Sequence, residues 1–97
     1  MIYTYALLDL NTPMKLELNY VNICLLYKPY YIGKGTDGRI LRHKYIYNTH
    51  HKKDAKTKQL LQNHSFDDIS TILSIYNSHE EADASEKLII EQIGLYN

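Results

Sequence analysis

The segment YYIGKGTDGRILRHK, residues 30 to 44, gathers two tyrosines, three glycines, two arginines, two lysines and a histidine. Phenols and imidazoles move protons, and guanidinium and ammonium groups hold phosphates. Between a strand and a helix, GKGTDG can turn backbone N–H groups and a helix N-terminus toward an anion. It equally suits a tight turn with positive φ at Gly35 or Gly38. It lacks the Lys-Ser/Thr pair of a P-loop, and it is not the dinucleotide fingerprint. Arg39 and His43, four apart, share one face of the following helix, with Arg42 and Lys44 beside them. Such a face can clamp a phosphate and shuttle a proton, and it also fits an ordinary solvated helix surface.

A second residue with chemical potential stands far along the chain. Glu86 follows Ala82 by four and precedes Ile89 by three, so its spacing puts it at the border of an apolar helix face. A carboxylate there is costly to bury unless it is paired or binds a metal; the alternative is a glutamate that reaches out to solvent. His50, His51 and Asp54 do not complete a tetrahedral zinc set, because no cysteine pair or second histidine pair accompanies them. His64 and His79 fall in expected connections.

The formal charge is zero, but the charges are segregated. Lys28, Lys34, Arg39, Arg42, Lys44, Lys52, Lys53, Lys56 and Lys58 meet only Asp37 and Asp54, whereas from residue 59 onward Lys87 is the sole base among seven acids. A basic middle third is the footprint of a phosphate-attracting face, or of two helices with solvated lysines. Ten tyrosines against one phenylalanine and no tryptophan imply that some phenols use their hydroxyls. Cys24, the lone cysteine, has no internal partner and reads as a small core residue in a reducing setting. No apolar run is long enough to span a bilayer and no leader pattern opens the chain, so a cytoplasmic protein without membrane contact is expected.

These residues need a frame, and residues 1–97 suffice for one small domain. IYTYALLD reads as a first strand and DLNTP as a turn. Lys15 to Asn19 and Ile23 to Tyr27 read as one or two further strands, which Pro29 should interrupt. YYIG ends a short strand, and Thr36 or Asp37 caps a helix over GRILRHKYIYN. AKTKQLLQNH reads as a second helix, DDISTILSIYN as a strand and SHEEADASEKLIIEQIG as a last helix. That helix should start with a capping box of Ser78 and Glu81 and end near Gly94. The expected fold is a small α/β sandwich with a short, mostly antiparallel central sheet, about three strands plus a hairpin extension, flanked by helices.

Taken together, YTYALLD, YIG at Tyr31 to Gly33, Arg39, His43, Glu86 and a terminal YN resemble the GIY-YIG nuclease domain over nearly the whole chain. The wording YYIGKG is similar to members found in phage-encoded homing endonucleases. The glycine of the first motif is absent; its tyrosine falls on Tyr5 by spacing to Asp9, with Tyr3 the alternative. Arg39 follows Tyr31 more closely than in many members, which leaves Arg42 in reserve. The resemblance implies Tyr5, Tyr31, Arg39, His43 and Glu86 as catalytic residues, with Glu86 as the ligand of Mg²⁺ or Mn²⁺. It also implies double-stranded DNA as substrate, with Lys34, Gly35, Arg42, Lys44 and Asn97 in contact with it. The implied activity is divalent-metal-dependent phosphodiester hydrolysis. A catalytically inactive phosphate- or nucleic-acid-binding module is the competing expectation, since it needs only the basic segment.

Overall fold

The computed structural model describes residues 1–36 and 52–94. The expectations for Asp37, Gly38, Arg39, Arg42, His43, Lys44, His50, His51 and Asn97 therefore lie outside the described residues. In chain order the elements are β1 (Ile2–Leu18), β2 (Ile23–Thr36), α1 (Lys52–Leu60), α2 (Phe66–Ile69), β3 (Ser70–Tyr76) and α3 (His79–Ile93). The strands form an antiparallel sheet in the order β2-β1-β3, accompanied by these three helices. No helix among the described residues is long and apolar enough to cross a membrane.

β1 occupies the centre, and its side chains alternate between two buried faces. Tyr3, Tyr5 and Leu7 pack with Leu60 of α1 and with Phe66 and Ile69 of α2. Ala6 and Leu8 point the other way, into a cluster of Leu18, Leu25, Ile32, Leu73 and Ile89 of α3. Because both faces are covered, the strand reads as a continuous apolar run rather than as alternating apolar and polar positions. Both ends of the last helix are capped at the expected residues. Ser78 Oγ accepts from the Glu81 N–H at 3.2 Å, and Gly94 closes α3 in the left-handed region at φ 81°.

Five local expectations are corrected. β1 does not end at Asp9; it continues to Leu18, with the turn signal DLNTP absorbed as an irregularity in the ladder between Asp9 and Pro13. There the Asp9 carboxylate accepts from the Asn11 N–H and from the Thr12 hydroxyl, each at 3.0 Å, replacing ladder bonds that the extra residues forgo. The reversal comes instead at residues 19–22, where Asn22 adopts φ 55°, a conformation asparagine tolerates. Beyond Leu7, β1 pairs with β2 alone, so the hairpin extends past the three-stranded part.

Pro29 does not interrupt β2. It faces Leu8 beside a register shift, on a strand that is an edge of the sheet, so its missing N–H breaks no central pairing. Cys24 is exposed, not a core residue, because Leu25 takes the inward position next to it. The helix expected over AKTKQLLQNH begins earlier, at Lys52, and stops at Leu60. The stretch DDIS is not strand throughout. Ser65 accepts from the Asp68 N–H at 3.3 Å and caps the one-turn helix α2 before β3 begins.

Asp9 also ties the irregular part of β1 to α1 through Lys56 Nζ at 3.0 Å. Burial pushes its carboxyl up, but Lys56, the Asn11 N–H and the Thr12 hydroxyl together outweigh that, and the net shift is downward. A depressed carboxyl stabilises the fold above its unfolded value of about 3.9, and that stabilisation is lost as pH falls through the lower folded value. Asp9→Ala should remove about 2 kcal/mol at neutral pH. In thermal unfolding this appears as a fall in Tm of about 10 °C, with the gap to the parent closing as pH falls through the lowered folded value.

Candidate active site

The pairing of β1 with β2 brings YTY against GKG. Tyr5 stands opposite Gly33, Thr4 opposite Lys34 and Tyr3 opposite Gly35. The two tyrosine rings lie across onto β2. A Cβ on Gly33 would come within 2.6 Å of Tyr5 Cζ and of its hydroxyl, and a Cβ on Gly35 within 2.8 Å of the ring tip of Tyr3. Both glycines sit inside β2 and neither has a positive φ; Gly35 is not part of a turn as expected. They are glycines because aromatic rings occupy the space of their side chains.

Tyr31 joins this row at 6.0 Å from the Tyr5 ring, and Tyr3 lies 6.1 Å from Tyr5 on the other side. The ladder explains why two adjacent tyrosines share one face. Leu7 pairs with Tyr31 and Leu8 with Pro29, so Tyr30 is an extra residue on β2, and the alternation of sides is broken there. Tyr30 and Tyr31 accordingly both pack against the cluster that holds Tyr3 and Tyr5. Thr57 of α1 gives its hydroxyl proton to the Lys53 carbonyl at 2.9 Å, which makes Tyr30 the donor in its 2.8 Å bond to Thr57. Lys53 places its ammonium 4.8 Å from the centre of the Tyr31 ring. Tyr5 is only 4% exposed, whereas Tyr31 is half-buried, so Tyr31 is the phenol of the motif pair with more access to solvent.

Lys34 points to the opposite face, where α3 lies. Its Nζ meets Asp83 at 2.7 Å. Since Asp83 is largely exposed, this pair contributes at most about 1 kcal/mol to stability; its effect is to orient the lysine. Glu86, three residues further along α3, is half-buried on the side that carries Ala82 and Ile89. Burial pushes its carboxyl above the usual range, Asp83 pushes it further, and Lys34 opposes them. A partly desolvated carboxylate with a second one a turn away is a setting a hard divalent cation relieves, and Mg²⁺ binds well to one or two carboxylates while keeping several waters. Among the described residues no group of three or more His, Cys, Asp or Glu is placed to hold a metal. Glu86, with or without Asp83, thus fits such an ion only in a water-rich coordination.

The structure therefore gathers Tyr5, Tyr31 and Gly33 on one face of the sheet and Lys34, Asp83 and Glu86 on the other. The three residues Gly33, Lys34 and Gly35 of the edge strand separate them. Because β2 is an edge strand, both groups flank the same margin of the sheet. Sequence reasoning missed Lys53, Asp83 and the Tyr3–Gly35 contact. The last was visible as a matched two-residue period, with YTY set against GKG on strands that pair. Asp54, considered for zinc, instead contacts Lys53 at 3.2 Å.

Gly33→Ala should destabilise the parent by about 2 kcal/mol, because the added methyl meets a rigid ring. In a Tyr5→Ala background the same substitution should cost about half as much, the remainder coming from Tyr31 Cε2, which lies 2.9 Å from the added methyl. Urea unfolding of the four proteins in this cycle measures the difference.

No family model matches this chain, and no curated protein or solved structure matches it significantly.

Proposed function

We propose that this chain is a divalent-metal-dependent DNA endonuclease domain of the GIY-YIG type, resembling the catalytic domains of phage-encoded homing endonucleases. The observation that carries this reading is the packing of Tyr5 on Gly33 with Tyr31 beside it. The tyrosine of one motif and the tyrosine and glycine of the other meet on paired strands, with the Lys34, Asp83 and Glu86 group behind the same edge.

Hydrolysis of a phosphodiester needs an oriented water, charge neutralisation at phosphorus and stabilisation of the leaving oxygen. In this proposal Glu86 is the protein ligand of Mg²⁺ or Mn²⁺, which when bound supplies Lewis-acid stabilisation of the phosphoryl oxygens. Tyr31 orients the attacking water through its phenol, and its access to solvent favours it over Tyr5 for that contact. Tyr5 backs it from the buried side and holds β2 in place through Gly33. Lys34 shifts from Asp83 toward a phosphate oxygen. Arg39, with Arg42 in reserve, contacts the scissile phosphate, His43 moves a proton, and Gly35, Arg42, Lys44 and Asn97 contact the duplex. The DNA partner, the GIY-YIG architecture and a cytoplasmic location all belong to this proposal.

The division of the site between two sheet faces favours a second reading, in which the domain binds nucleic acid through its basic segment without turnover. That module would bind DNA with strong salt dependence and ignore chelators.

Supercoiled plasmid distinguishes the two. With Mg²⁺ the parent should relax or linearise it, EDTA should abolish the cutting, and Glu86→Ala and Arg39→Ala should each slow it by about 100-fold or more. Cutting by both variants at the parental rate would overturn the site assignment, and salt-sensitive binding without strand breaks would establish the module.

A further inference from the structure

The two ends of α3 are attached to the sheet by different means. Its second half is held by apolar packing, with Ile89 buried and Ile90 and Ile93 against the same cluster. The turns that carry Asp83 and Glu86 bury only Ala82. A single methyl side chain does little to fix how that part of the helix is rotated about its axis. Hydroxyl contacts and one exposed ion pair do so instead.

The hydroxyl of Tyr76, the last residue of β3, hydrogen-bonds Ser85 Oγ on α3 and, at 3.1 Å, Thr4 Oγ1 on β1. Ser85 is the residue next to Glu86. Thr4 is fully buried, so its end of the chain is anchored in the central strand. Thr4 is also the ladder partner of Lys34 on one side and of Ser74 on the other. A row of polar positions thus crosses all three strands under the first half of α3, and the Tyr76 phenol is the link between that row and the helix. Without it, Ser85 would lose its tie to the sheet, while the packing at Ile89, one turn on, would persist.

We propose that Tyr76 is a positioning residue for Glu86: by bridging Thr4 and Ser85 its hydroxyl holds the second turn of α3 in the rotation that presents the Glu86 carboxylate beside Lys34. This rests on the reading of Glu86 as the metal ligand of a nuclease. Tyr76 acts through the helix and touches neither metal nor DNA.

The test is the Mg²⁺ dependence of plasmid cleavage by the full chain for the parent, Tyr76→Phe, Ser85→Ala and Ser85→Thr. DNA affinity in EDTA and Tm are measured alongside. Tyr76→Phe and Ser85→Ala should each raise the Mg²⁺ concentration for half-maximal cleavage by about tenfold, at unchanged DNA affinity. Ser85→Thr, which keeps a hydroxyl, should retain the parental midpoint. A merely structural role predicts a lower Tm and less active protein at the parental midpoint, and that result would overturn the proposal while leaving the nuclease reading intact. A parent that never cuts would instead overturn the nuclease reading, and this inference with it. Direct Mn²⁺ binding followed by electron paramagnetic resonance gives the same comparison if a variant folds poorly at the assay temperature: a tenfold weaker site in folded Tyr76→Phe supports the proposal, and an equal one refutes it.

Discussion

The arrangement of this small domain hangs on the fit of Tyr3 and Tyr5 of β1 onto Gly35 and Gly33 of β2. Side chains on a strand alternate with a period of two, so a slip of one residue would turn every side chain of β2 to the other face. In any such slip a phenol would meet Lys34 or Ile32 instead of a glycine. The rings therefore act as a register lock. From that one fit follow the emergence of Lys34 toward α3, the placement of Tyr31 beside Tyr5, and the position at which β2 hands the chain on after Thr36.

Irregularities in the hairpin serve the same end. The extra residue at Tyr30 lets consecutive tyrosines share a face, and its hydroxyl then reaches Thr57. The longer irregularity after Asp9 leaves a buried carboxylate that gathers Asn11, Thr12 and Lys56. Both devices bind α1 to the hairpin, and Lys53 comes over Tyr31 as a result. On the opposite face α3 is fastened by aliphatic packing at one end and by polar contacts at the end that carries Glu86. The part of the helix that carries Glu86 is thus oriented by hydroxyl and ionic contacts instead of by core packing.

Much of the sheet was legible in the sequence, because IYTYALL and STILSIY are β-branched and apolar runs and the Ser78 and Gly94 caps are unambiguous local signals. The boundaries failed where a turn-forming residue was used inside a strand. DLNTP and Pro29 carry the chemistry of turns, yet an edge strand with bulges accommodates both. GKG read as either a tight turn or an anion-binding loop because glycine suggests conformational freedom; its actual cause, a ring on the neighbouring strand, is a tertiary contact that a linear reading sees only after the pairing is known. The half-buried state of Glu86 was readable from its spacing to Ala82 and Ile89. Its neighbours Lys34 and Asp83 were not, since they come from a strand and a helix far apart in sequence. The resemblance to GIY-YIG nucleases drew its force from the order of weak motifs along the chain.

The central claim is that one ligand at the Gly33–Gly35 edge is served from both faces of β2. The most direct measurement is a backbone amide NMR spectrum recorded with substoichiometric Mn²⁺, whose paramagnetism broadens signals according to distance. The account predicts selective broadening of Asp83 to Glu86 together with Tyr31 to Gly35, and its loss in Glu86→Ala. Broadening confined to other acidic residues, or unchanged by Glu86→Ala, would contradict it.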